Sequence, residues 1–329
     1  MMTGAVRRVL VLGGTGWLGR EVARAAVESG AEVVCLARGE SGAVADGAEL
    51  VRADRLQPGA YDAVTGDWDE VVELAHAPDL VGPALDALAD RAAHWTLVST
   101  VTVYADDAEP DADESAALVE PDDLSEYGAA KVAAERVTRA RLGDRLAIVR
   151  PGLIVGPGDP SDRFGYWPAR LSRPGPVLVP VLAERSVQVV DVTDLAAWIM
   201  HAGLTGFVGT VNAVGAPQPL GDVLRQLAAL AGYTGGFVEA DDEALLAHDV
   251  QYWAGPRSLP LWLPTSAAGF ARRSGAAFRA AGGRTRPLQE TLRRVLEDER
   301  ARGVERPRRS GLPLADERAV LAALAAADD

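Results

Sequence analysis

Residues 8–19 read RVLVLGGTGWLG, an apolar run that passes directly into glycines at positions 13, 16 and 19. The apolar run predicts a buried β-strand, and a helical pattern that starts at Trp17 ends at Gly30. Residues without a Cβ permit positive φ angles and let backbone N–H groups approach a pyrophosphate at the helix N-terminus. The turn therefore predicts a dinucleotide site, with a plain strand-to-helix turn as the alternative.

The same alternation of short apolar runs and helical patterns extends through the first half of the chain. It predicts strands at residues 8–12, 32–36, 49–52, 70–74, 95–99 and 146–150, and helices at residues 17–29, 80–90 and 125–141. Strands separated by helices in this way indicate βαβ units and an α/β fold with a Rossmann-type, doubly wound parallel sheet. This dinucleotide-binding domain is predicted to span residues 1–155.

The second half of the chain has a different composition. Prolines and glycines are frequent between residues 151 and 180, which is typical of loops around a site. A strand at residues 186–192, a helix at 193–202 and a strand at 210–214 are predicted to return residues 186–214 to the sheet. Residues 156–185 and 215–329 are predicted to form a smaller, mostly helical substrate-binding lobe, with helices at residues 220–231, 241–246, 288–302 and 315–326.

The composition is that of an acidic globular protein. Of 329 residues, 48% are apolar and 24% are charged, and the formal net charge is −14. Such a surface repels phosphate backbones and anionic lipids, so we expect a small-molecule substrate and neither nucleic acid nor a membrane as partner. The single cysteine, Cys35, excludes an intramolecular disulfide, and scattered histidines predict no metal site. Apolar runs shorter than the roughly 20 residues of a membrane span favour a cytoplasmic location.

Two segments offer arginine to a phosphate group. The second predicted strand ends in LARG at residues 36–39, where NAD-selective sites place an acid and a 2′-phosphate favours arginine. Arg38 therefore favours NADP(H) over NAD(H) as cofactor, with a plain surface charge as the alternative. The segment RPRR at residues 306–309 is interpreted as a solvated surface loop, with a phosphate contact as its alternative.

The segment YGAAK at residues 127–131 starts another predicted helix. Its i, i+4 spacing puts the Tyr127 phenol and the Lys131 ammonium on one helical face. A free tyrosine has a pKa of about 10, and a neighbouring ammonium stabilises the phenolate. Tyr127 is thus a candidate acid or base near neutral pH, although tyrosine and lysine at this spacing are most often a surface pair.

Hydroxyl side chains end the fifth predicted strand, in LVSTVTVY at residues 97–104, where parallel sheets hold their ligands. With the glycine turn, these hydroxyls and the Tyr127–Lys131 pair in this order, the chain resembles the extended class of the short-chain dehydrogenase/reductase superfamily. The segments RPGLIVGP at 150–157 and QVVDVTDLA at 188–196 add to the resemblance, and helix capping explains the aspartates of the second equally well. The resemblance is close in the first half and loose from Leu220 onward.

The resemblance implies a role for each matching residue. Thr100 becomes the hydroxyl of the catalytic set, with Ser99 as its nearest rival. Tyr127 becomes the proton donor, and Lys131 binds the nicotinamide ribose and lowers the tyrosine pKa. The implied cofactor contacts are Gly13, Thr15, Gly16, Trp17, Leu18, Gly19, Arg38, Asp54, Ala75, Lys131 and Pro151, with Asp54 near the adenine and Pro151 beside the nicotinamide.

Two departures from the family pattern narrow the implied chemistry. Nucleotide-sugar epimerases of this class usually carry asparagine where this chain has Leu153, and Asn212 is the only asparagine in the sequence. Sugar dehydratases follow the catalytic threonine with an Asp-Glu pair, whereas Val101 and Thr102 follow Thr100 here. An apolar residue at position 153 is similar to the reductase branch, whose substrates lack a diphosphate.

Aromatic residues in two segments are candidates for the wall of the substrate site. One segment is DRFGYW at residues 162–167 and the other surrounds Trp253. The candidate substrate contacts are Ser99, Leu153, Phe164, Tyr166, Trp167 and Trp253. Aromatic side chains that face a cleft are typical of ligand pockets, and the alternative is that they pack one lobe onto the other.

The sequence leads to an NADP(H)-dependent oxidoreductase that acts on the carbonyl group or secondary alcohol of a small, fairly apolar molecule. One alternative in the same fold is a nucleotide-sugar epimerase that retains its cofactor, and another is a non-catalytic NADP-binding sensor. The intact set of Thr100, Tyr127 and Lys131 argues against the sensor. By analogy with the fold, the predicted helices at residues 80–90 and 125–141 are candidates for a homodimer interface.

Overall fold

The computed structural model describes residues 6–327. Its strands are β1 (Arg8–Leu12), β2 (Glu32–Ala37), β3 (Glu49–Arg52), β4 (Glu70–Glu73), β5 (Trp95–Val98), β6 (Leu146–Pro151), β7 (Leu153–Val155), β8 (Val177–Pro180), β9 (Ser186–Val187), β10 (Val189–Asp191), β11 (Gly209–Ala213), β12 (Gln218–Pro219), β13 (Phe237–Ala240), β14 (Gln251–Trp253) and β15 (Ser258–Pro260). Its helices are α1 (Trp17–Glu28), α2 (Pro78–Leu88), α3 (Tyr127–Leu142), α4 (Tyr166–Leu171), α5 (Val192–Thr205), α6 (Leu220–Ala231), α7 (Asp242–Ala247), α8 (Ala276–Ala280), α9 (Leu288–Arg302) and α10 (Leu314–Ala327).

The centre of the fold is a parallel sheet of seven strands in the order β11-β6-β5-β4-β1-β2-β3. The register pairs Val9 of β1 with Val33 of β2, and Leu97 of β5 with Ile148 of β6. The strand order reverses between β1 and β4, so their carboxyl ends open the crevice in which doubly wound sheets bind ligands. The Rossmann-type α/β fold predicted from the sequence is confirmed.

Both faces of this sheet are covered by helices. Successive side chains of a strand point to opposite faces, so Val9 and Val11 pack with residues of α1 and α5, while Leu10 and Leu12 pack with residues of α2 and α3. Burial on both faces explains why the strands are continuous apolar runs rather than alternating ones. Cys35 of β2 is part of this core, and burial raises the pKa of its thiol to about 12.

The second lobe has a hydrophobic core of its own. Helices α4, α6, α9 and α10 surround the short parallel pair of β8 and β13, and the indoles of Trp167 and Trp262 are fully buried among them. Helices α6 and α9 have the bounds that the sequence predicts, and the other predicted helices differ by three residues or fewer at either end. The short elements α4, α8, β7, β8 and β12 to β15 were not predicted, and the domain boundaries stay a prediction.

The predicted strand at residues 186–192 does not join the central sheet. It is broken at Gln188 into β9, which pairs with β12, and β10, which pairs with β7. The Gln188 side-chain amide donates to the carbonyl oxygens of Gly215 and Arg273 and accepts a hydrogen bond from Arg273 N at 3.0 Å. These long-range bonds interrupt the strand, and within residues 186–214 it is β11 that enters the sheet, beside β6.

Helix α3 is fastened to the sheet by a buried ion pair. Arg150 of β6 donates Nε to Glu135 Oε1 at 3.0 Å and Nη2 to Glu135 Oε2 at 2.6 Å. The Ser99 hydroxyl donates to the same carboxylate, and Arg150 Nη1 donates to Tyr104 Oη at 3.0 Å. The Tyr104 hydroxyl donates in turn to Asn212 Oδ1 at 2.6 Å, which extends the network to β11. The network thus fixes one face of α3 over β5, β6 and β11.

Two further findings hold for residues 6–327. No helix in this part of the chain combines the length and the apolar character that crossing a membrane requires. No group of three or more His, Cys, Asp or Glu side chains there is arranged to hold a metal ion.

Candidate active site

A cavity of about 580 Å³ opens where the carboxyl ends of β1, β4, β5 and β6 meet. It extends from the glycine turn to the start of α3 and the loop that follows β7. The predicted site residues that line it are Gly13, Gly16, Trp17, Leu18, Gly19, Ser99, Thr100, Tyr127, Lys131, Pro151, Leu153 and Trp253. Four other predicted cofactor contacts, Thr15, Arg38, Asp54 and Ala75, lie outside this lining.

The glycine turn has the shape of a dinucleotide cradle. Gly13 has a φ of +101°, and a Cβ on Gly19 would overlap the Gly13 carbonyl oxygen and lie 2.9 Å from Gly14 Cα. The N-cap residue of α1, Gly16, has no side chain to bond the free N–H groups of the first turn. A pyrophosphate can therefore reach these donors and the positive end of the helix dipole. On this test the turn fits a dinucleotide cofactor.

Arg38 lies at the exposed end of β2. Its guanidinium forms an ion pair with Glu40 at 3.2 Å, and both side chains are largely exposed. Its carbonyl oxygen accepts a hydrogen bond from Arg52 Nη1 at 3.5 Å, so a second guanidinium lies at the same strand end. Asp54 follows β3, and its carboxylate accepts a hydrogen bond from Leu56 N at 3.1 Å. The contacts of Arg38 and Asp54 with a nucleotide stay predictions.

Tyr127 begins α3 at the mouth of the cavity. Its side chain is 47% exposed, and its ring meets the His76 ring edge-on with centroids 5.2 Å apart. Desolvation raises the pKa of Tyr127 above its ordinary value, while a hydrogen bond with the Thr100 side chain and the positive charge of Arg163 oppose that rise. Thr100, rather than Ser99, is therefore the hydroxyl beside the phenol. Ser99 is instead committed to Glu135.

Lys131 is the only lysine in the sequence, and its side chain is almost completely buried. Its ammonium donates to the carbonyl oxygens of Leu74 at 3.3 Å, Ala75 at 3.1 Å and Val98. A compact ammonium with three donors fits this arrangement of carbonyl groups, and a planar guanidinium does not. Burial lowers the pKa of Lys131 to about 8, against the opposing charges of Glu73 and Glu135.

The Lys131 ammonium is bonded to three carbonyl groups that join the ends of β4 and β5. The charge that opposes the rise of the Tyr127 pKa is that of Arg163. The tuning of Tyr127 by Lys131 and the ribose contact of Lys131 stay predictions.

Three of the predicted substrate contacts belong to a hydrophobic core instead. Phe164, Tyr166 and Trp167 are between 0% and 4% exposed and pack inside the second lobe. The Trp167 indole donates to the Pro260 carbonyl oxygen at 2.8 Å. Their prediction as substrate contacts is wrong, because the sequence could not distinguish aromatic residues that face a cleft from those that fill a core.

Leu153, Trp253 and Ser99 do line the cavity, and Arg163 and Phe270 line it as well. Neither of the last two was singled out from the sequence, although Arg163 lies in the segment at residues 162–167. The signal for Arg163 was its charge beside an aromatic residue, Phe164, in a proline- and glycine-rich loop. Phe270 comes from a segment with no recognisable motif.

The basic segment at residues 306–309 is not a solvated loop. Arg306 pairs with the buried carboxylates of Asp162 and Glu299, and Arg308 pairs with Glu299 at 2.7 Å. The Arg309 backbone N–H donates to Asp162 Oδ2 at 2.9 Å. These arginines therefore hold the loop after β7 from the outside.

The comparisons with known proteins agree with this geometry. A family model described as the NAD dependent epimerase/dehydratase family matches residues 9–82 and 83–213, which is more than half of the chain. This chain belongs to that family. The matched residues include the glycine turn, Thr100, Tyr127 and Lys131, all of which line the cavity. A comparison with curated protein sequences found no match.

Solved structures of the same fold align with nearly the whole chain. A proposed epimerase from Burkholderia cenocepacia J2315 is 25% identical, with a TM-score of 0.70, and the alignment covers 91% of this chain and 100% of that one. UDP-glucose 4-epimerase of Thermus thermophilus in complex with NAD is 20% identical, with a TM-score of 0.64 and coverage of 89% and 99%. RMD from Pseudomonas aeruginosa complexed with NADPH is 18% identical, with a TM-score of 0.64 and coverage of 90% and 100%.

We expect the Lys131 ammonium to titrate near pH 8, and the free energy of unfolding to depend on pH because of this titration. Because the folded-state pKa is lowered from 10.5, the unfolded chain binds more protons between pH 8 and 10.5. The contribution of Lys131 to the free energy of unfolding therefore rises with pH through this window. Since Lys131 is the single lysine, [15N]lysine labelling gives one side-chain Nζ resonance whose titration reads the pKa directly.

Urea unfolding of the wild type and of Lys131→Met provides the second readout. The wild type is expected to gain stability relative to the variant as the pH rises from about 8 to about 10. A titration midpoint near 10.5, with a pH-independent difference between the two proteins, would contradict the expectation.

Proposed function

We propose that this chain is an NADP(H)-dependent oxidoreductase that reduces the carbonyl group, or oxidises the secondary alcohol, of a small and largely apolar molecule. The observation that carries the proposal is that Thr100 and Tyr127 line one cavity together with the glycine turn. A proton donor and a nucleotide cradle in one space are the two parts that hydride transfer needs.

The glycine turn, Trp17, Leu18 and Pro151 would hold the cofactor along one wall of the cavity, where a bound nicotinamide supplies or accepts the hydride. In the reducing direction, the Tyr127 hydroxyl donates its proton to the substrate oxygen as the carbonyl becomes an alcohol. The Thr100 hydroxyl lines the same cavity and would bond the substrate oxygen. Because Tyr127 is half exposed, solvent can restore its proton. Its raised pKa keeps it protonated near neutral pH, which favours reduction.

The alternative is a nucleotide-sugar epimerase that retains its cofactor, as the Thermus thermophilus neighbour favours. Leu153 opposes this alternative, because it presents an apolar surface to the cavity where a sugar diphosphate would need donors. Asn212 cannot substitute for such a donor, since it is fully buried and bonded to Tyr104 and to the Ser274 carbonyl oxygen. These two residues are the reason that we favour the oxidoreductase.

The surroundings of the enzyme are also part of the proposal. We infer a cytoplasmic enzyme with a small-molecule substrate, without nucleic acid or membrane partners. A homodimer through α2 and α3 is included by analogy with the fold.

We expect NADP(H) to bind more tightly than NAD(H), and the preference to depend on the charges at the end of β2. Arg38→Ala should reduce the preference by roughly tenfold to a hundredfold, because a charge-assisted bond to a 2′-phosphate is worth about 1.5–3 kcal/mol. Glu40→Gln should increase it, because Glu40 competes for the Arg38 guanidinium. Fluorescence titrations with NADPH and NADH measure both effects, and equal affinities in the wild type would refute the preference.

We expect Tyr127→Phe to lower the rate of NADPH-dependent carbonyl reduction by roughly 10² to 10⁴ while NADPH binding stays nearly unchanged, since only the proton donor is lost. Tyr233→Phe is the matched control, because it removes a hydroxyl that bonds the Gly175 carbonyl oxygen away from the cavity. Absorbance at 340 nm measures the rate with a panel of hydrophobic ketones and aldehydes.

Wild-type rates in Tyr127→Phe would contradict the mechanism. A purified protein that keeps its nicotinamide through dialysis, and whose melting temperature rises with UDP-glucose, would instead support the epimerase. The oxidoreductase is expected to exchange its cofactor freely and to show no stabilisation by UDP-glucose.

A further inference from the structure

Arg163 is a charged group in the cavity that the proposed reaction does not use. It lines the same space as Tyr127, and its guanidinium carbon lies 5.3 Å from the centroid of the Trp253 indole. Its Nε donates to Ser161 Oγ at 3.3 Å. Among residues 6–327, no carboxylate forms an ion pair with it, and it is the one arginine in the cavity lining. The terminal nitrogens of Arg163 are therefore available to a ligand.

The loop before Arg163 is built to hold this side chain in place. The buried Asp159 carboxylate accepts hydrogen bonds from Ser161 N at 2.8 Å and Ser161 Oγ at 2.9 Å. The same Ser161 Oγ accepts from Arg163 Nε, so the chain of bonds runs from Asp159 to the guanidinium. Asp159 is thus occupied by Ser161 rather than paired with Arg163.

Asp162, the residue before Arg163, has a φ of +59°. A non-glycine residue in this region is strained and persists where its surroundings hold it. Here Arg306 and the Arg309 backbone bind the Asp162 carboxylate from the outer side. With Asp162 turned outward, Arg163 is turned inward to the cavity. The strained backbone of Asp162 and the ion pairs of its carboxylate thus help to fix the orientation of the Arg163 guanidinium.

The charge of Arg163 is only partly compensated. Burial lowers the pKa of Arg163, while the more distant Asp159 and Tyr127 oppose the shift. Burial also raises the pKa of Asp159, which weakens it as a counter-charge. A desolvated cation with free donors is unfavourable until an anion binds it. Its planar fork matches the two oxygens of a carboxylate.

We propose that Arg163 binds a carboxylate of the substrate, and that the substrates are therefore oxo acids or hydroxy acids with an apolar side chain. Trp253, Phe270 and Leu153 provide the apolar wall for the remainder of the molecule. A carboxylate on Arg163 sets the neighbouring carbonyl toward Tyr127, which lines the same cavity. One guanidinium suits one carboxylate better than the two charges of a sugar diphosphate. The inference rests on the proposed function and names its substrate class.

The test compares an acid with its neutral ester. Benzoylformate and methyl benzoylformate have the same aromatic ketone, and with NADP+ neither is reduced, so binding is measured without turnover. Isothermal titration of the wild-type protein with NADP+ is expected to show the acid binding roughly tenfold to a hundredfold more tightly than the ester. Arg163→Gln is expected to abolish this difference, and Arg163→Lys to retain part of it.

Arg136→Gln is the matched control, because it removes the same charge from an exposed ion pair with Glu120. It is expected to keep the full preference for the acid. The near-ultraviolet circular dichroism of each variant checks that the fold is retained.

Equal binding of acid and ester to the wild type, no binding of either, or an unchanged preference in Arg163→Gln would overturn the proposal. If UDP binds at the site that Arg163 lines and benzoylformate does not, Arg163 serves a diphosphate, and the proposal is again overturned. NADPH-dependent reduction of neutral ketones tests the proposed function separately. Reduction of neutral ketones without tighter binding of the acid would refute the role of Arg163 alone. Tighter binding of the acid without any reduction would refute the proposed reaction alone.

Discussion

The ion pair between Glu135 and Arg150 is the interaction on which the rest of the site depends. Tyr127, Lys131 and Glu135 follow one another at intervals of four along α3, so they share the face that meets the sheet. Apolar residues of α3, such as Ala134 and Leu142, pack in the core beside this face, but Lys131 and Glu135 are buried charges that apolar packing cannot satisfy. The bidentate pair with Arg150, extended by Ser99 and Asn212, holds this face instead. A buried pair of this kind contributes little net stability, but its loss leaves a desolvated charge, so it specifies one position for the helix.

Two cations line the cavity, and they have different partners. Lys131 is tied to three carbonyl groups at the ends of β4 and β5, which closes the floor of the cavity. Arg163 lines the same cavity, and its positive charge opposes the rise of the Tyr127 pKa. The sequence contains one lysine among many arginines, and it lies at the position where a compact ammonium fits and a guanidinium does not. The cavity therefore contains one cation that is bonded to the backbone and one without an ion-pair partner among residues 6–327.

The sheet, its strand order and the glycine turn could be predicted because each depends on a local pattern, such as the apolar run and glycines of residues 8–19. The position of Thr100 could be predicted because it follows β5 and the strand ends of a parallel sheet converge at one edge. Tyr127 begins a helix, and its position was indicated by the segment YGAAK and the family resemblance. The break at Gln188 and the orientation of Arg163 could not, since both depend on contacts with residues from the other end of the chain, such as Arg273 and Arg306. The burial of Phe164, Tyr166 and Trp167 could not be predicted for the same reason.

The central claim, that one buried pair fixes α3 and with it the active site, is tested most directly by urea unfolding of Arg150→Met beside Arg136→Met. Arg150→Met leaves the Glu135 carboxylate buried without its partner, and we expect a loss of about 3–5 kcal/mol in the free energy of unfolding. Arg136→Met removes a surface pair with Glu120 from the same helix and should cost about 1 kcal/mol or less. Equal losses in the two variants would contradict the account.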